Sequence, residues 1–292
     1  MADKRWLGAT VATGRRGETT DPDAVQSTVD TWFDTHTQTW LSVYEGEDLS
    51  SVIYRARRDL ALAWVNDLHL PAAATALELG CGAGLTSTAL AAGGLSVIAT
   101  DRTIGMLLEA RRQADDSRVG LDIAQVDAHA LAFSAGAFEL VVALGVVPWL
   151  HSPRMALVEC ARVVRPGGYL VVSADNRARL VHLLDPRFNP LLAGTRQRAR
   201  SLLGRPTAPG LRHKLHWPRE FNSELESVGF ECVMTASIGF GPFTLLGQHA
   251  LRAMWGLELH RRLQQLADQH RFGLRCAGSQ YVVLARKREA GG

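Results

Sequence analysis

Residues 77–84 form the feature that most constrains the fold of this chain. An apolar stretch there ends in three alternate glycines, Gly80, Gly82 and Gly84, and leads directly into a helical pattern. Glycine lets the backbone approach a ligand closely, and the first turn of the following helix offers free N–H groups. Nicotinamide-binding folds place Gly-x-Gly-x-x-Gly here, but the last position of that pattern is Leu85 in this chain. The segment therefore predicts an α/β domain with a cofactor at this turn.

Short β-type runs alternate with helical patterns along the chain beyond Pro71. Gly93 and Gly94 end the first helical pattern, and Pro153 begins a later one. Alternation of this kind implies right-handed βαβ units on a parallel sheet. We therefore predict an α/β fold with a doubly wound, mostly parallel seven-stranded sheet. The predicted strands cover residues 75–79, 95–100, 121–126, 138–144, 169–174, 231–237 and 280–285, and later helices cover 218–228 and 245–270.

The composition and the apolar periodicity of the sequence divide the chain into three parts. Residues 1–22 have no apolar period and are rich in glycine, threonine and charge, which predicts a disordered arm. Residues 23–70 carry two amphipathic helical patterns and are predicted to form a helical preface. Residues 71–292 are predicted to form the sheet domain. Two interruptions, at about 177–216 and 240–275, are interpreted as lid insertions at the mouth of the sheet.

Two acidic residues and a methionine favour a nucleoside ligand. Asp101 ends the second predicted strand, where a carboxylate can accept hydrogen bonds from both ribose hydroxyls. Asp127 follows the third strand, near the expected position of an adenine amino group. Met106 lies about one turn into the next helix and can cover an adenine face, although a core methionine explains its spacing equally well. Glu78, before the glycines, suits a cofactor with a cationic amino-acid tail.

Residues 75–176 together resemble the class I methyltransferases that use S-adenosylmethionine (SAM), particularly the group similar to ubiquinone and menaquinone biosynthesis methyltransferases. The resemblance rests on the glycine segment that follows Glu78, on Asp101, on Asp127-Ala128, on the strand at 138–142 and on the turn at 165–168. It implies a Rossmann-like methyltransferase fold with SAM as the cofactor. The residues it places beside SAM are Glu78, Gly80, Gly82, Gly84, Asp101, Arg102, Met106, Asp127, Ala128 and Leu144, with Tyr44 and Arg55 as candidates from the preface.

The composition of the chain limits the classes of protein to which it can belong. The 292 residues are 47% hydrophobic, which is enough for a sizeable core. Because no apolar run reaches the ~18 residues of a membrane-spanning helix and the chain begins with polar residues, we predict a cytoplasmic protein without an integral membrane segment. Four widely spaced cysteines show neither disulfide nor zinc spacing, so they are predicted to be buried thiols and no metal is expected.

The basic stretch at 177–216 stands out from the rest of the chain. It holds nine lysines and arginines against Asp185, a net charge of +8, which leaves the remainder at −5. Such a stretch is usually a solvated face, but an anionic substrate, a carrier protein or a lipid surface would also match it.

Methyl transfer from a sulfonium requires alignment, a dry pocket and, for some acceptors, a base. The base candidates are His151, His182, His213 and His216, of which His151 is favoured because the family's acceptor lies beside the loop after the fourth strand. That loop lacks the Asn-Pro-Pro-Tyr type of motif of enzymes that methylate nucleic acid or glutamine, so no nucleic-acid partner is expected.

The predicted function is SAM-dependent methylation of a small, partly apolar metabolite, at the oxygen of a hydroxyl or carboxylate. An alternative is carbon methylation of a lipid-like or prenylated molecule. An alternative of another class is a SAM-binding or nicotinamide-binding protein with a regulatory or redox role. The sequence leaves the oligomeric state open.

Overall fold

The computed structural model describes residues 22–36, 43–44, 46–202, 213–246, 248–269, 271 and 273–289. The strands are β1 Thr75–Leu79, β2 Ser96–Asp101, β3 Asp122–Gln125, β4 Phe138–Ala143, β5 Val164–Asn176, β6 Leu215–His216, β7 Phe230–Ile238, β8 Thr244–Leu245, β9 Gln248–His249 and β10 Gln280–Lys287. The helices are α1 Pro22–Thr35, α2 Leu49–Asp67, α3 Leu85–Ala92, α4 Ile104–Asp116, α5 Pro153–Val163, α6 Leu180–Leu184, α7 Ala193–Leu202, α8 Pro218–Ser227 and α9 Ala253–Asp268.

The main sheet has the order β3-β2-β1-β4-β5-β10-β7, and the two-residue strand β6 pairs with β5. Strands β1 to β5 run parallel, whereas β10 is antiparallel to both β5 and β7. This arrangement confirms the predicted doubly wound, mostly parallel sheet. The strand order reverses between β1 and β4, and ligands bind at such a switch point, beyond the carboxyl ends of the strands.

Apolar strands covered by helices on both faces hold the sheet together. Leu77 and Val141 are fully buried in the cluster on one face, which also contains Phe221 and Phe230. Leu140 belongs to the cluster on the other face, against Trp64 of α2. Continuous apolar runs are what a parallel sheet buried on both faces requires. The core therefore lies directly below the carboxyl edge that carries the site.

The two amphipathic patterns of the preface form α1 and α2. Asp48 caps α2, because its Oδ1 accepts hydrogen bonds from the Ser50 and Ser51 N–H groups at 3.0 and 3.2 Å. Residues 1–21 lie outside the described residues, so the predicted arm and the domain division stay predictions. None of the helices in the described part is long and apolar enough to cross a membrane.

Some predicted elements were wrong in detail. The helix predicted at 245–270 begins only at Ala253, because Thr244–Leu245 and Gln248–His249 pair as the antiparallel strands β8 and β9. Strand β5 begins at Val164 rather than at 169, since Val164 pairs with Phe138 before the register shifts at the Gly167 turn. The prediction of four buried thiols holds for Cys81 and Cys160, but Cys232 is only partly buried and Cys276 is exposed.

Candidate active site

A large cavity lies at the carboxyl edge of β1 to β5 and is covered by α1 and α2. Its volume, including the open mouth, is about 1320 Å³. Of the predicted cofactor residues, the cavity wall contains Glu78, Gly80, Gly82, Asp101, Arg102, Met106, Asp127, Ala128, Leu144 and Tyr44.

The glycine loop after β1 forms the floor of the cavity. Gly80 has a φ of +61°, and a Cβ there would lie 2.5 Å from Val146 Cγ2. Gly82 has a φ of +53°, and a Cβ there would meet no atom within 4 Å. The loop therefore needs glycine for its conformation, and at Gly82 it leaves open space beside the backbone for a ligand.

Gly84 has a different role from the predicted one, because it lies outside the cavity wall. It is the N-cap of α3 with a φ of +76°, and a Cβ there would lie 2.7 Å from Ala110 Cβ on α4. The residue therefore allows α3 and α4 to pack closely.

Replacing Gly84 by alanine is expected to destabilise the fold by more than the same change at Gly94. Both residues have positive φ, which costs an alanine about 1–2 kcal/mol, but a Cβ at Gly94 would meet no atom within 4 Å. Overlap with Ala110 adds about 1–3 kcal/mol at Gly84. Urea unfolding of both variants measures the difference, and equal losses would show that α3 and α4 are not in close contact at Gly84.

Glu78 is a buried carboxyl in the wall, and Ser87 Oγ donates a hydrogen bond to its Oε2. Burial, opposed by the hydrogen bonds from Ser87 and Thr86, raises its pKa to about 7. The free protein therefore holds Glu78 close to its titration point near neutral pH.

Glu78→Gln is expected to gain stability relative to the parent as the pH rises. The native carboxyl retains its proton up to about pH 7 while the unfolded one releases it above about 4.5, so the unfolding free energy of the parent falls across this interval. The difference between the two proteins should grow by at most about 1.4 kcal/mol per pH unit and level off above pH 7. A pH-independent difference in urea unfolding would show that Glu78 ionises normally.

Asp101 is fixed at the end of β2 by the loops on either side. Its Oδ2 accepts a hydrogen bond from Gly82 N–H at 3.0 Å, and its Oδ1 accepts from Thr103 N–H and Oγ1, both at 2.9 Å. Burial raises the pKa of this carboxyl, although these hydrogen bonds oppose the shift. The carboxylate is therefore held in one orientation beside the glycine loop.

Asp127 lies across the cavity, and Arg102 connects it to the preface. The Arg102 guanidinium is 2.5 Å from Asp127 Oδ2 and 2.6 Å from Asp30 Oδ2 on α1. Burial alone would raise the pKa of Asp127, but the hydrogen bonds from His129 and the charge of Arg102 outweigh it and lower the pKa. Asp127 is therefore a carboxylate at neutral pH.

Arg55 does not reach the cavity, so the sequence-based choice of this residue is not supported by the structure. Its Nη1 donates to the carbonyl oxygens of Tyr44 at 2.7 Å and Gly46 at 2.6 Å. Arg57, two positions further along α2, lies in the wall instead. The sequence could have identified Arg57, because it lies four residues from both Ile53 and Ala61 and therefore on the same buried face of α2.

Arg57 is a buried cation whose hydrogen-bond partners are neutral. Nη1 donates to Gln280 Oε1 at 3.1 Å and Nη2 to the Tyr44 hydroxyl at 3.3 Å. Its Nε is buried and has no hydrogen-bond partner within the described part of the chain. Gly145 permits this position, because a Cβ there would lie 2.8 Å from Nη1. Since a buried charge without a counter-ion is costly, Arg57 suits an anionic group of a ligand.

None of the four histidine candidates, all of which lie among the described residues, belongs to the cavity wall. The favoured one, His151, stacks on His129 at 3.8 Å, with its backbone N–H bonded to Gln26 Oε1. His182 stacks on Phe188, and burial lowers its pKa to about 3. His216 packs against Phe221.

The side chain of His213 contacts a residue of the cavity wall that sequence reasoning missed. Its Nε2 lies 3.4 Å from Oδ2 of Asp175, and Asp175 belongs to the wall. The position of Asp175 near the end of β5, at the ligand edge of the sheet, was the available signal.

The basic insertion contributes no residue to the cavity wall within its described part, residues 177–202 and 213–216. Arg196 donates to the carbonyls of Pro186 and Asn189 within the insertion, whereas Arg187 donates to the Leu246 carbonyl and so connects the insertion to a later segment. Lys214 N–H bonds to the Pro148 carbonyl at 2.7 Å, which places the end of the insertion against the loop after β4. Arg205 and Arg212 lie outside the described residues, and the predicted lid and its anionic preference stay predictions.

The fold and the cavity define the class: a Rossmann-like domain with a glycine loop and strand-end carboxylates for a nucleoside, as in class I SAM-dependent methyltransferases. Residues 77–172 match the family model described as a methyltransferase domain. The match covers about a third of the chain, and this central part is similar to that family.

The curated relatives include two ubiquinone biosynthesis O-methyltransferases. The protein from Azorhizobium caulinodans is 30% identical over 57% of this chain and 62% of its own length. The one from Pseudomonas paraeruginosa is 33% identical over 40% of this chain and 51% of its own length. The chain thus spans between about half and three fifths of these relatives.

Solved structures share the fold at low identity. The SAH-bound magnesium protoporphyrin IX methyltransferase from Synechocystis has a TM-score of 0.59 at 17% identity and covers 90% of this chain and 99% of its own. The [4+2]-cyclase SpnF has a TM-score of 0.59 at 18% identity and covers 91% of this chain and 97% of its own. Because these two proteins carry different activities, the shared fold does not by itself define the reaction.

Proposed function

We propose that this chain transfers the methyl group of SAM to an oxygen atom of a small, partly apolar metabolite. The observation that carries the proposal is a single cavity whose wall contains the glycine loop, the carboxylates of Asp101 and Asp127, and four aromatic side chains. A cofactor and an acceptor could then meet inside one pocket.

The residues of the cavity fit the two ends of SAM. Asp101 would accept hydrogen bonds from the ribose hydroxyls, while Asp127 and Met106 would hold the adenine. Gly80, Gly82 and Leu144 would adjoin the methionine part, with the Arg57 guanidinium binding its carboxylate. Two features of Arg57 support this assignment: it lies in the cavity wall, and its hydrogen-bond acceptors among the described residues, Gln280 and Tyr44, are neutral.

The acceptor region supports a partly apolar substrate. Phe33, Tyr44, Tyr54 and Trp149 line the cavity beside the loop that follows β4. A sulfonium methyl group is already activated, so the chief contribution of such walls is to exclude water and align the acceptor oxygen with the methyl carbon. The names of the curated relatives favour oxygen as the methylated atom.

The direct test is product analysis with SAM that carries a ¹³C-labelled methyl group. The purified protein would be incubated with a panel of phenols, catechols and hydroquinones, and the products analysed by NMR. A labelled carbon with the chemical shift of a methyl ether is expected. A carbon-bound methyl would favour the alternative of carbon methylation, and SAM binding without turnover of any acceptor would favour a regulatory SAM-binding protein.

A further inference from the structure

Asp175 presents a carboxylate to the cavity. Gln280 Nε2 donates to its Oδ1 at 2.7 Å, and His213 Nε2 lies 3.4 Å from its Oδ2. The Gln280 side chain is itself oriented by Arg57, which donates to its Oε1. Because Gln280 donates to one oxygen of the carboxylate and His213 lies beside the other, its direction is set before any ligand enters.

The neighbouring hydroxyl of Tyr54 cannot compete with Asp175 as a base. Burial, and after it the charge of Asp175, raise the pKa of Tyr54. Tyr54 therefore stays protonated at neutral pH and serves as a wall. Burial also lowers the pKa of His213, which favours a neutral imidazole beside the carboxylate.

Building on the proposed methyl transfer, we propose that Asp175 binds the hydroxyl group of the acceptor and takes its proton during the transfer. The chemical class of the acceptor is then an uncharged phenol or alcohol. A carboxylate acceptor would meet the negative charge of Asp175, and it has no proton to give at neutral pH.

The step balances without a further reactant. As the acceptor oxygen forms its bond to the methyl carbon, the O–H bond breaks and the proton moves to the Asp175 carboxylate. The carbon–sulfur bond breaks at the same time, and its electron pair stays on sulfur, which becomes a neutral thioether. His213 and Gln280 are positioning residues in this scheme, since neither contacts the acceptor.

Binding of two matched probes tests the inference while the natural acceptor is still unidentified. 4-Ethylphenol carries the hydroxyl proton, and 4-ethylanisole is the same molecule with that proton replaced by methyl. Calorimetry would be done on the protein saturated with S-adenosylhomocysteine (SAH), the demethylated product, so that no turnover occurs. A hydrogen bond to a carboxylate predicts about tenfold tighter binding of the phenol.

Asp175→Asn should reduce this preference to about twofold or less, while the affinities for SAH and for 4-ethylanisole stay unchanged. The matched control is Asp115→Asn, which changes an exposed acid on α4 and should keep the preference. His213→Gln should reduce the preference partly and leave 4-ethylanisole binding intact, a pattern that a purely structural role would not produce.

Equal binding of the two probes by the parent, no binding of either, or an unchanged preference in Asp175→Asn would overturn the inference. A different result would contradict the proposed function itself: the parent protein would not bind SAH at all.

Discussion

Asp101→Asn is expected to weaken binding of both SAH and methylthioadenosine by 100-fold or more. The two ligands share the ribose, and the charged carboxylate of Asp101 would accept hydrogen bonds from both of its hydroxyls. Each such bond contributes about 1.5–3 kcal/mol, and 1.4 kcal/mol corresponds to tenfold in affinity. Isothermal titration calorimetry of the parent and the variant measures the effect.

Asparagine is the informative substitution because it can keep the local fold. Its carbonyl oxygen can still accept the hydrogen bonds that Thr103 donates to Oδ1, and only the hydrogen bond from Gly82 N–H to Oδ2 is lost. A melting temperature close to that of the parent would show that the loop is intact. Unchanged affinity for either ligand in a folded variant would remove Asp101 from the cofactor site.

Arg57→Gln is expected to weaken SAH binding by about 10- to 100-fold and to leave methylthioadenosine binding unchanged. Methylthioadenosine has the nucleoside and the thioether but lacks the amino-acid carboxylate. Loss of a charge-assisted hydrogen bond to that carboxylate costs about 1.5–3 kcal/mol for SAH alone. The same calorimetric titrations, done with the two ligands on one protein preparation, separate the two ends of the site.

Arg55→Gln is the matched control, because it removes an arginine from the same helix whose guanidinium binds the Tyr44 and Gly46 carbonyls outside the cavity. It should leave both affinities unchanged. If Arg55→Gln weakened SAH selectively and Arg57→Gln did not, the assignment of the carboxylate contact to Arg57 would be reversed.

The sequence was most informative where backbone chemistry restricts the choice of residue. Gly80 and Gly82 have positive φ, Asp101 ends β2, and Asp127 follows β3 at the ligand edge, so the local pattern was enough to predict that they share one site. Strand β1 was predicted without error because it is a short, mostly apolar run between a turn and the glycine loop.

Side chains from distant segments were harder to predict, because their positions depend on packing that local periodicity does not encode. Asp175 lies near the end of β5, but its partner Gln280 is brought beside it only by the pairing of β5 with β10, more than a hundred residues later in the chain. His151 follows the expected strand, yet stacking on His129 draws its ring away from the cavity wall. Arg57 lies on the buried face of α2, but a charged residue is not expected on a buried face, so the apolar pattern did not select it.

The central claim, that the cavity is a SAM site, is tested most directly by titrating the purified chain with SAH and, in parallel, with NADH. The account predicts one SAH bound per chain at micromolar strength and no measurable binding of NADH, because the loop lacks the last glycine of the dinucleotide pattern and carries Leu85 there. Binding of NADH in place of SAH would contradict the account and would indicate a redox protein on the same fold.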